Sequence, residues 1–285
     1  MRLGYAVLCC LLALGACSSE PEPEGPTAPA VSTFRLSLPF DDIKWNPREK
    51  WQLEQARHLL VKRCVEARGI AFTMPNSERA EQLPDFYDNS RRYGALDETA
   101  VALFGYHLPR TADSKRRQQE VDEWNKKVGK NEETAIYGTG DQPGCYQQAD
   151  AQLAGGVPDA DTEWLGERSS ESLTEAERSA AVVHAKSGWR TCMSKLGFGY
   201  GDPDEAIEDP RWKLDSPAVS EQEIATAVAD VRCKRSAGLV TAFVEVETAW
   251  QRGLMQREPE RFRRLKANKD AKITITSSSG LSKEE

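Results

Sequence analysis

The sequence predicts a mainly α-helical fold of two related halves, each held by one disulfide, with long irregular loops and at most a few short strands. Three observations lead to this prediction: helix caps ahead of runs with helical spacing, a cysteine motif that occurs twice, and four cysteines in the body of the chain. We expect the first half over residues 34–158, the second over residues 159–271 and a flexible tail over residues 272–285.

The N-terminus has the pattern of a secretory signal that ends in a lipidation site. A basic residue precedes an apolar run over residues 5–14, which is too short to span a bilayer. The segment 14–17, Leu-Gly-Ala-Cys, resembles the lipobox of bacterial lipoproteins, which implies removal of residues 1–16 and a diacylglyceryl group on Cys17. We therefore expect Cys17 to anchor the protein on the extracytoplasmic face of the bacterial cell membrane. The alternative is an ordinary signal peptide that leaves Cys17 as a spare thiol.

Residues 17–33 combine the lipidated cysteine with a segment rich in Pro and Glu, which predicts an extended tether. The chain of 285 residues carries a formal charge of −7, and loss of the signal with its one arginine makes this −8. We expect such an acidic body to be held off an acidic membrane surface. The charge also argues against nucleic acid as a partner, and a hydrophobic content of 39% argues against several membrane spans.

The body begins with an apolar arm and a well-marked helix. Apolar residues alternate with other residues over 34–40, which predicts an extended segment docked on the body. Asn46 then stands before Pro47, with Glu49 three residues on, which predicts an N-cap with a reciprocal capping acid. Gly69 is the expected end of this helix.

Further helices are predicted along the rest of the chain. A brief helix is expected over residues 97–104 and a polar one over residues 114–128. Thr174 and Ser220 each stand three residues before a glutamate, which predicts a capping box at both places. The second box is expected to open one long helix that continues to about Leu254.

A cysteine motif occurs twice without gaps, at residues 63–72 and 191–200. Both copies have a cysteine, four residues, a glycine, an apolar residue, one more residue and an aromatic. This is the pattern of a helix end with a left-handed glycine cap and an apolar residue that folds back. One further cysteine follows each copy, Cys145 and Cys233, which predicts an internal duplication.

The duplication bears on how the seven cysteines divide. Cys9 and Cys10 leave with the signal and Cys17 takes lipid, so four remain: Cys64, Cys145, Cys192 and Cys233. Four cysteines on an exported domain indicate two disulfides with three possible connectivities, of which the duplication favours Cys64–Cys145 and Cys192–Cys233. A metal site or a reactive thiol pair is the alternative, although no CxxC spacing is present.

Several short motifs, together with the lipobox and the paired cysteine modules, carry a resemblance to a group of known sequences. The motifs are Arg92-Tyr93-Gly94 with Gly105-Tyr106, Asp209-Pro210-Arg211-Trp212, and Asp230-Val231-Arg232-Cys233-Lys234. With them, the chain resembles predicted lipoproteins of filamentous actinobacteria over most of residues 51–259. That family has no established activity, so the resemblance implies location and disulfides but no catalytic residue.

Two groups of residues near the second module are candidate sites. Several carboxylates in one loop are what a hard cation such as calcium needs, and the candidates are Asp202, Asp204, Glu205 and Asp209. Their spacing is not that of an EF-hand, and turn or cap chemistry is the alternative. Aromatic residues beside acids can bind a carbohydrate or peptide, and the candidates are Trp164, Trp189, Tyr200 and Trp212, with packing in the core as the alternative.

No motif in the sequence assigns a reaction or a cofactor. The three histidines are His58, His107 and His184, and no GxSxG, HExxH or Walker-type pattern is present. We therefore expect a non-enzymatic surface interaction or structural module whose partner is an envelope protein or polymer. A solute- or envelope-polymer-binding lipoprotein is the alternative, and a hydrolase comes third. A binding protein needs a concave site, whereas an enzyme needs a cleft with at least two interacting titratable groups.

Overall fold

The structure is a computed structural model that describes residues 36–76, 89–108 and 112–278. This part of the chain is mainly helical, with a single sheet of two short strands. The predicted fold class is therefore confirmed. The predicted signal peptide, the predicted lipidation site Cys17 and the predicted tether lie outside the described residues, as do residues 279–285.

The elements follow one another with short connections. The sheet pairs β1 (Gly138–Thr139) with β2 (Gln142–Pro143) in antiparallel register, Gly138 opposite Pro143. Short 3-10 turns occur at Pro39–Asp42, Asn89–Arg91 and Pro210–Trp212. The helices are α1 (Pro47–Ala67), α2 (Glu98–Phe104), α3 (Ala112–Lys127), α4 (Lys130–Tyr137), α5 (Cys145–Ala154), α6 (Thr162–Arg178), α7 (Ala180–Lys195), α8 (Pro203–Ile207), α9 (Glu221–Ser236), α10 (Leu239–Arg257) and α11 (Pro259–Ser278).

Two disulfides join the pairs favoured by the duplication, Cys64–Cys145 and Cys192–Cys233. The Cα atoms are 5.6 Å apart in both. The repeated motif also has the same backbone geometry in both copies. Gly69 and Gly197 have φ values of +71° and +88°, and the residue after each glycine donates its N–H to the carbonyl five residues back, at 3.4 and 3.0 Å.

The caps of the first helix follow the prediction. The Asn46 side chain accepts from the Glu49 N–H at 2.8 Å, and the Glu49 carboxylate accepts from the Asn46 N–H at 2.9 Å. The predicted cap at Thr174 is wrong, because its hydroxyl bonds back to the Ser170 carbonyl inside α6. The backbone becomes extended only at Ser179. The Ser179 hydroxyl caps α7 by accepting from the Val182 N–H.

The C-terminal helices differ from the prediction in two places. The expected single long helix is interrupted at Gly238, whose φ of +65° ends α9 and starts α10. The final helix continues to Ser278, so the prediction of a flexible tail is wrong for residues 272–278. Packing explains this, because Thr276 is buried and Ile275 contacts the core built by α1 and α5.

Three clusters of buried side chains form the interior. The first core joins α1, α4 and α5 around Val65, Ile136 and Cys145. The second core joins α7, α9 and α10 around residues such as Trp189 and Cys233. A smaller third core holds the N-terminal arm against α6 and α11.

Residues 89–108 pack in the second core, although the predicted boundary puts them in the first half. Tyr93 stacks on Phe243 of α10 with ring centroids 4.5 Å apart, and α2 lies against α9. The two halves are thus interlocked, because a segment that precedes residue 158 completes the core of the second half.

Candidate functional site

Two buried glutamates hold residues 89–107 against the long helices of the second core. Glu247 lies on α10 and Glu223 lies in the first turn of α9, and both side chains are 0% exposed. A buried carboxylate is unfavourable unless it is paired and hydrogen-bonded, so the partners of each one indicate its role.

Glu247 has a complete set of partners. Arg92 donates from Nε to Oε1 at 2.7 Å and from Nη2 to Oε2 at 2.5 Å. The Tyr93 hydroxyl donates to Oε1 at 2.8 Å, and the Ser172 hydroxyl donates to Oε2 at 2.5 Å. Burial and the charge of Glu247 raise the pKa of Tyr93, which keeps its hydroxyl a donor. We interpret this cluster, the Glu247 network, as structural because both oxygens are satisfied.

The network also fixes the N-terminal arm. Gln251 donates to the Ser172 hydroxyl at 3.0 Å and accepts from the Phe40 N–H at 3.0 Å. Lys44 donates to Ser169 at 2.6 Å, and burial, together with the charge of Arg92, lowers the pKa of this lysine. The arm that the sequence predicts as docked is therefore held by buried polar contacts in addition to the apolar side chain of Phe40.

A third buried pair lies beside the second disulfide. Asp230 accepts from Lys234 at 2.9 Å and from the Trp189 indole at 2.8 Å, and Lys234 also donates to the Ala95 carbonyl at 3.1 Å. Burial raises the pKa of Asp230, and the charge of Lys234 opposes this shift. This pair again joins residues 89–107 to α9.

The carboxylate of Glu223 has an incomplete set of partners. Its Oε1 accepts from the Tyr106 N–H at 2.8 Å and lies 2.8 Å from His107 Nδ1. Because an ionised carboxylate only accepts, Nδ1 carries the proton of this contact. Glu223 Oε2 and His107 Nε2 are both buried and have no hydrogen-bond partner among the described residues.

The local sequence explains how these groups come together. Ser220 caps α9 by accepting from the Glu223 N–H at 3.1 Å, as predicted. The reciprocal half of the predicted box is wrong, because the Glu223 side chain leaves its helix end for Tyr106 and His107. Gly105 makes this possible, since it has φ of +54° and a Cβ there would lie 2.7 Å from Glu223 Cδ.

His107 lines a cavity of about 320 Å³, which we call the histidine cavity. Arg91 also lines this cavity and donates to the backbone carbonyls of Tyr106 at 2.8 Å and His107 at 3.5 Å. Burial lowers the pKa of Arg91. The remaining lining is Phe104, Tyr106, Leu108, Lys115, Ile207, Leu214, Ser216, Pro217 and Val219.

A second cavity of about 300 Å³ lies between the arm, α6 and α11 and contains several lysines and asparagines. Its polar side chains contact one another. Lys269 donates to the Lys44 carbonyl at 2.7 Å and pairs with Glu49 at 2.8 Å, and Asn89 donates to Asp41 at 2.8 Å. We interpret this cavity as part of the contact between the arm and the body.

The four aromatic residues predicted as a binding surface are divided between two cores. Trp189 and Trp212 are buried in the second core. Tyr200 packs against the same core and donates its hydroxyl to Asp209 at 2.8 Å. Trp164 belongs to the third core. Packing in the core, which was the alternative to a binding surface, accounts for the two buried tryptophans.

Three of the four predicted cation ligands, Asp202, Glu205 and Asp209, act as a cap, a hydrogen-bond acceptor and an ion-pair partner, and Asp204 is exposed. Asp202 caps α8 by accepting two N–H groups, and Glu205 accepts from the Gly201 N–H. Asp209 binds Arg211, whose guanidinium holds the pKa of this carboxyl well below its usual range. Across residues 36–76, 89–108 and 112–278, no group of three or more His, Cys, Asp or Glu side chains is placed to hold a metal ion.

Sequence analysis missed the grouping of Arg91 and His107, which line the histidine cavity, with Glu223, which contacts His107. The signals were present but ambiguous, because Gly105-Tyr106 is a short motif and Glu223 fits a capping box.

The comparisons with known proteins add no assignment: no family model, no curated protein and no solved structure matches the chain. No helix within the described ranges is long and apolar enough to cross a membrane.

Proposed function

We propose that this protein is a lipid-anchored extracytoplasmic binding protein that takes a small ligand in the histidine cavity. The single observation that carries the binding proposal is His107 Nε2, a buried nitrogen without a hydrogen-bond partner among the described residues, on a side chain that lines this cavity. Leaving such a group unpaired costs about 1–3 kcal/mol, and native proteins supply a partner for most buried polar atoms. A ligand that hydrogen-bonds Nε2 would offset this cost.

The location rests on two separate features of the chain. The lipobox resemblance at residues 14–17 implies a lipid on Cys17. The disulfides Cys64–Cys145 and Cys192–Cys233 are typical of oxidising compartments outside the cytoplasm. Both support a protein that is exported and then held at the outer face of the membrane.

A hydrolase is less well supported by the same geometry. Glu223 and His107 have the arrangement of an orienting carboxylate and a base. Within the described residues, however, no hydroxyl or thiol lies within hydrogen-bond distance of Nε2 to serve as the nucleophile. Binding needs only a concave, mostly apolar site with a few polar groups, and the histidine cavity has these features.

The anchor is tested by Cys17→Ser, with Ser18→Ala as the control. We expect Cys17→Ser to release the protein into the soluble extracytoplasmic fraction and Ser18→Ala to leave it in the membrane fraction. The measurement is immunodetection after fractionation. Continued membrane association of Cys17→Ser would contradict the proposed anchor.

The cavity is tested with a panel of small neutral, anionic and cationic compounds, scored by the rise in unfolding temperature. A ligand that binds only the folded state raises this temperature. Val219→Trp should fill the cavity and abolish the shifts, whereas Val183→Trp, at an exposed position of α7, should preserve them. Shifts of equal size in both variants, or no shift with any compound, would contradict ligand binding in this cavity.

A further inference from the structure

We infer that the ligand of the histidine cavity is an amphipathic anion, a small molecule with one carboxylate and an apolar chain or ring. This inference rests on the proposed binding function and specifies its ligand class. It is carried by the charges and the apolar residues that line the cavity.

Arg91 is the first line of support. Its guanidinium has five N–H donors and, among the described residues, bonds two backbone carbonyls, those of Tyr106 and His107. No carboxylate pairs with it among the described residues, whereas the next residue, Arg92, pairs with Glu247. A partly buried cation without a counter-charge is unfavourable, and a bidentate carboxylate is the partner that best fits a guanidinium.

The other charged groups of the lining favour the same ligand. Lys115 adds a second cation to the cavity wall. His107 contacts Glu223 through Nδ1, so its Nε2 donates to a carboxylate ligand in the doubly protonated ring, whereas in the neutral ring with the proton on Nδ1 it only accepts. No Asp or Glu is among the lining residues, and Glu223, which contacts the Tyr106 N–H and His107, is 0% exposed.

The rest of the lining is apolar and partly exposed. Leu108 and Leu214 are 56% and 42% exposed, and both belong to the cavity lining. Phe104, Ile207 and Val219 continue this apolar surface. An exposed apolar patch beside a cation is suited to a ligand whose acidic group meets Arg91 and whose chain covers the leucines.

The test compares three probes on the full chain that carries Cys17→Ser, measured by titration calorimetry. Octanoate has the charge and the chain, 1-octanol has the chain alone, and acetate has the charge alone. We expect octanoate to bind with 1:1 stoichiometry, 1-octanol to bind about 10-fold more weakly because a charge-assisted bond is lost, and acetate to bind at least about 100-fold more weakly because the chain is lost.

Two variants assign the two ends of the ligand. Arg91→Gln should lower the affinity for octanoate to that for 1-octanol and leave the affinity for 1-octanol unchanged. The control is Arg190→Gln, since this exposed arginine also donates to a backbone carbonyl, that of Gly201. Leu214→Ser should weaken both octanoate and 1-octanol about 5-fold, and Leu196→Ser, at a similarly exposed leucine outside the cavity, should change neither.

Each contrary result has a definite meaning. Equal affinities for octanoate and 1-octanol would overturn the anionic class while ligand binding in the cavity stands. Octanoate binding that neither Arg91→Gln nor Leu214→Ser weakens would place the probe elsewhere and overturn the inference. Absence of octanoate binding would also overturn it, and the compound panel with Val219→Trp decides separately whether the cavity binds anything. Because Leu214 is exposed, Leu214→Ser keeps the test valid even if Arg91→Gln fails to fold.

Discussion

Glu247 and Glu223 are two buried glutamates with similar positions and different surroundings. Each lies on a long helix of the second core and receives donors from residues 89–107. Glu247 has partners on both oxygens, from Arg92, Tyr93 and Ser172. Within the part of the chain that the structure describes, Glu223 has partners on one oxygen only, and Nε2 of His107 beside it has no hydrogen-bond partner.

The difference separates a structural cluster from a candidate site. Both carboxylate oxygens of Glu247 are hydrogen-bonded, so any substitution at this position leaves a buried charge or a buried donor without a partner. By contrast, Glu223 Oε2 and His107 Nε2 have no hydrogen-bond partner among the residues described, and His107 lines a cavity in which a ligand could supply one. We therefore expect substitutions at Glu247 to act on stability, and substitutions around Glu223 and His107 to act more on ligand binding.

The largest effect is expected for Glu247→Ala. Removing one partner of a buried ion pair costs about 3–5 kcal/mol, because Arg92 is left without its counter-charge. Chemical denaturation should show this loss in the free energy of unfolding. The control is Glu245→Ala, an exposed position of the same helix, for which we expect a change within about 0.5 kcal/mol. Similar small effects for both would contradict the structural role of the network.

The second-largest loss of stability is expected for Gly105→Ala, which disturbs the close approach of the Glu223 side chain to Gly105. The new Cβ would strain a backbone with φ of +54° and meet the Glu223 side chain, so we expect a loss of about 2–3 kcal/mol. Gly238→Ala is the control, because its φ of +65° is also positive but a Cβ there meets nothing within 4 Å. Denaturation should give a loss of about 1 kcal/mol for this variant, and equal losses would exclude a steric role for Glu223.

A smaller effect is expected for Glu223→Gln. The amide oxygen can keep the bond from the Tyr106 N–H. The amide nitrogen takes the place of Oε2, which has no hydrogen-bond partner among the described residues, so no existing bond is lost there. We expect a loss of about 1–2 kcal/mol, less than for Glu247→Gln measured in the same way. A loss that equals or exceeds the loss for Glu247→Gln would contradict the distinction between the two sites.

The smallest effect on stability is expected for His107→Gln. The substitution removes one hydrogen bond to Glu223 and also the unpaired Nε2, so the free energy of unfolding should change by no more than about 1 kcal/mol. The octanoate affinity should nevertheless fall. His184→Gln, at an exposed position of α7, should change neither quantity. Unchanged octanoate binding in His107→Gln would separate the imidazole from the ligand site.

Local signals predicted much of the fold. The caps at Asn46 and Ser220 and the glycine ends at Gly69 and Gly197 depend on residues only a few positions apart. The duplication of one such end was enough to select the correct disulfide connectivity among three. These features could be predicted because their physical cause lies within one turn of helix or within one repeated segment.

The candidate site could not be predicted in the same way. The contact between Tyr106 and Glu223 joins residues 117 positions apart, and the contact between Arg92 and Glu247 joins residues 155 positions apart. Glu49 and Glu223 stand in equivalent capping patterns, yet only Glu49 returns to its own helix end. Glu223 has a competing donor from another segment, and no local pattern reveals such a competitor.

The most direct test of the account is the nitrogen NMR spectrum of the imidazole rings with and without octanoate, on the full chain that carries Cys17→Ser. The chain has only three histidines, so His→Gln variants assign every ring. We predict that octanoate shifts the Nε2 resonance of His107 and leaves the rings of His58 and His184 unchanged. A His107 Nε2 resonance that does not move at saturating octanoate would contradict the assignment of this cavity as the binding site for an amphipathic anion.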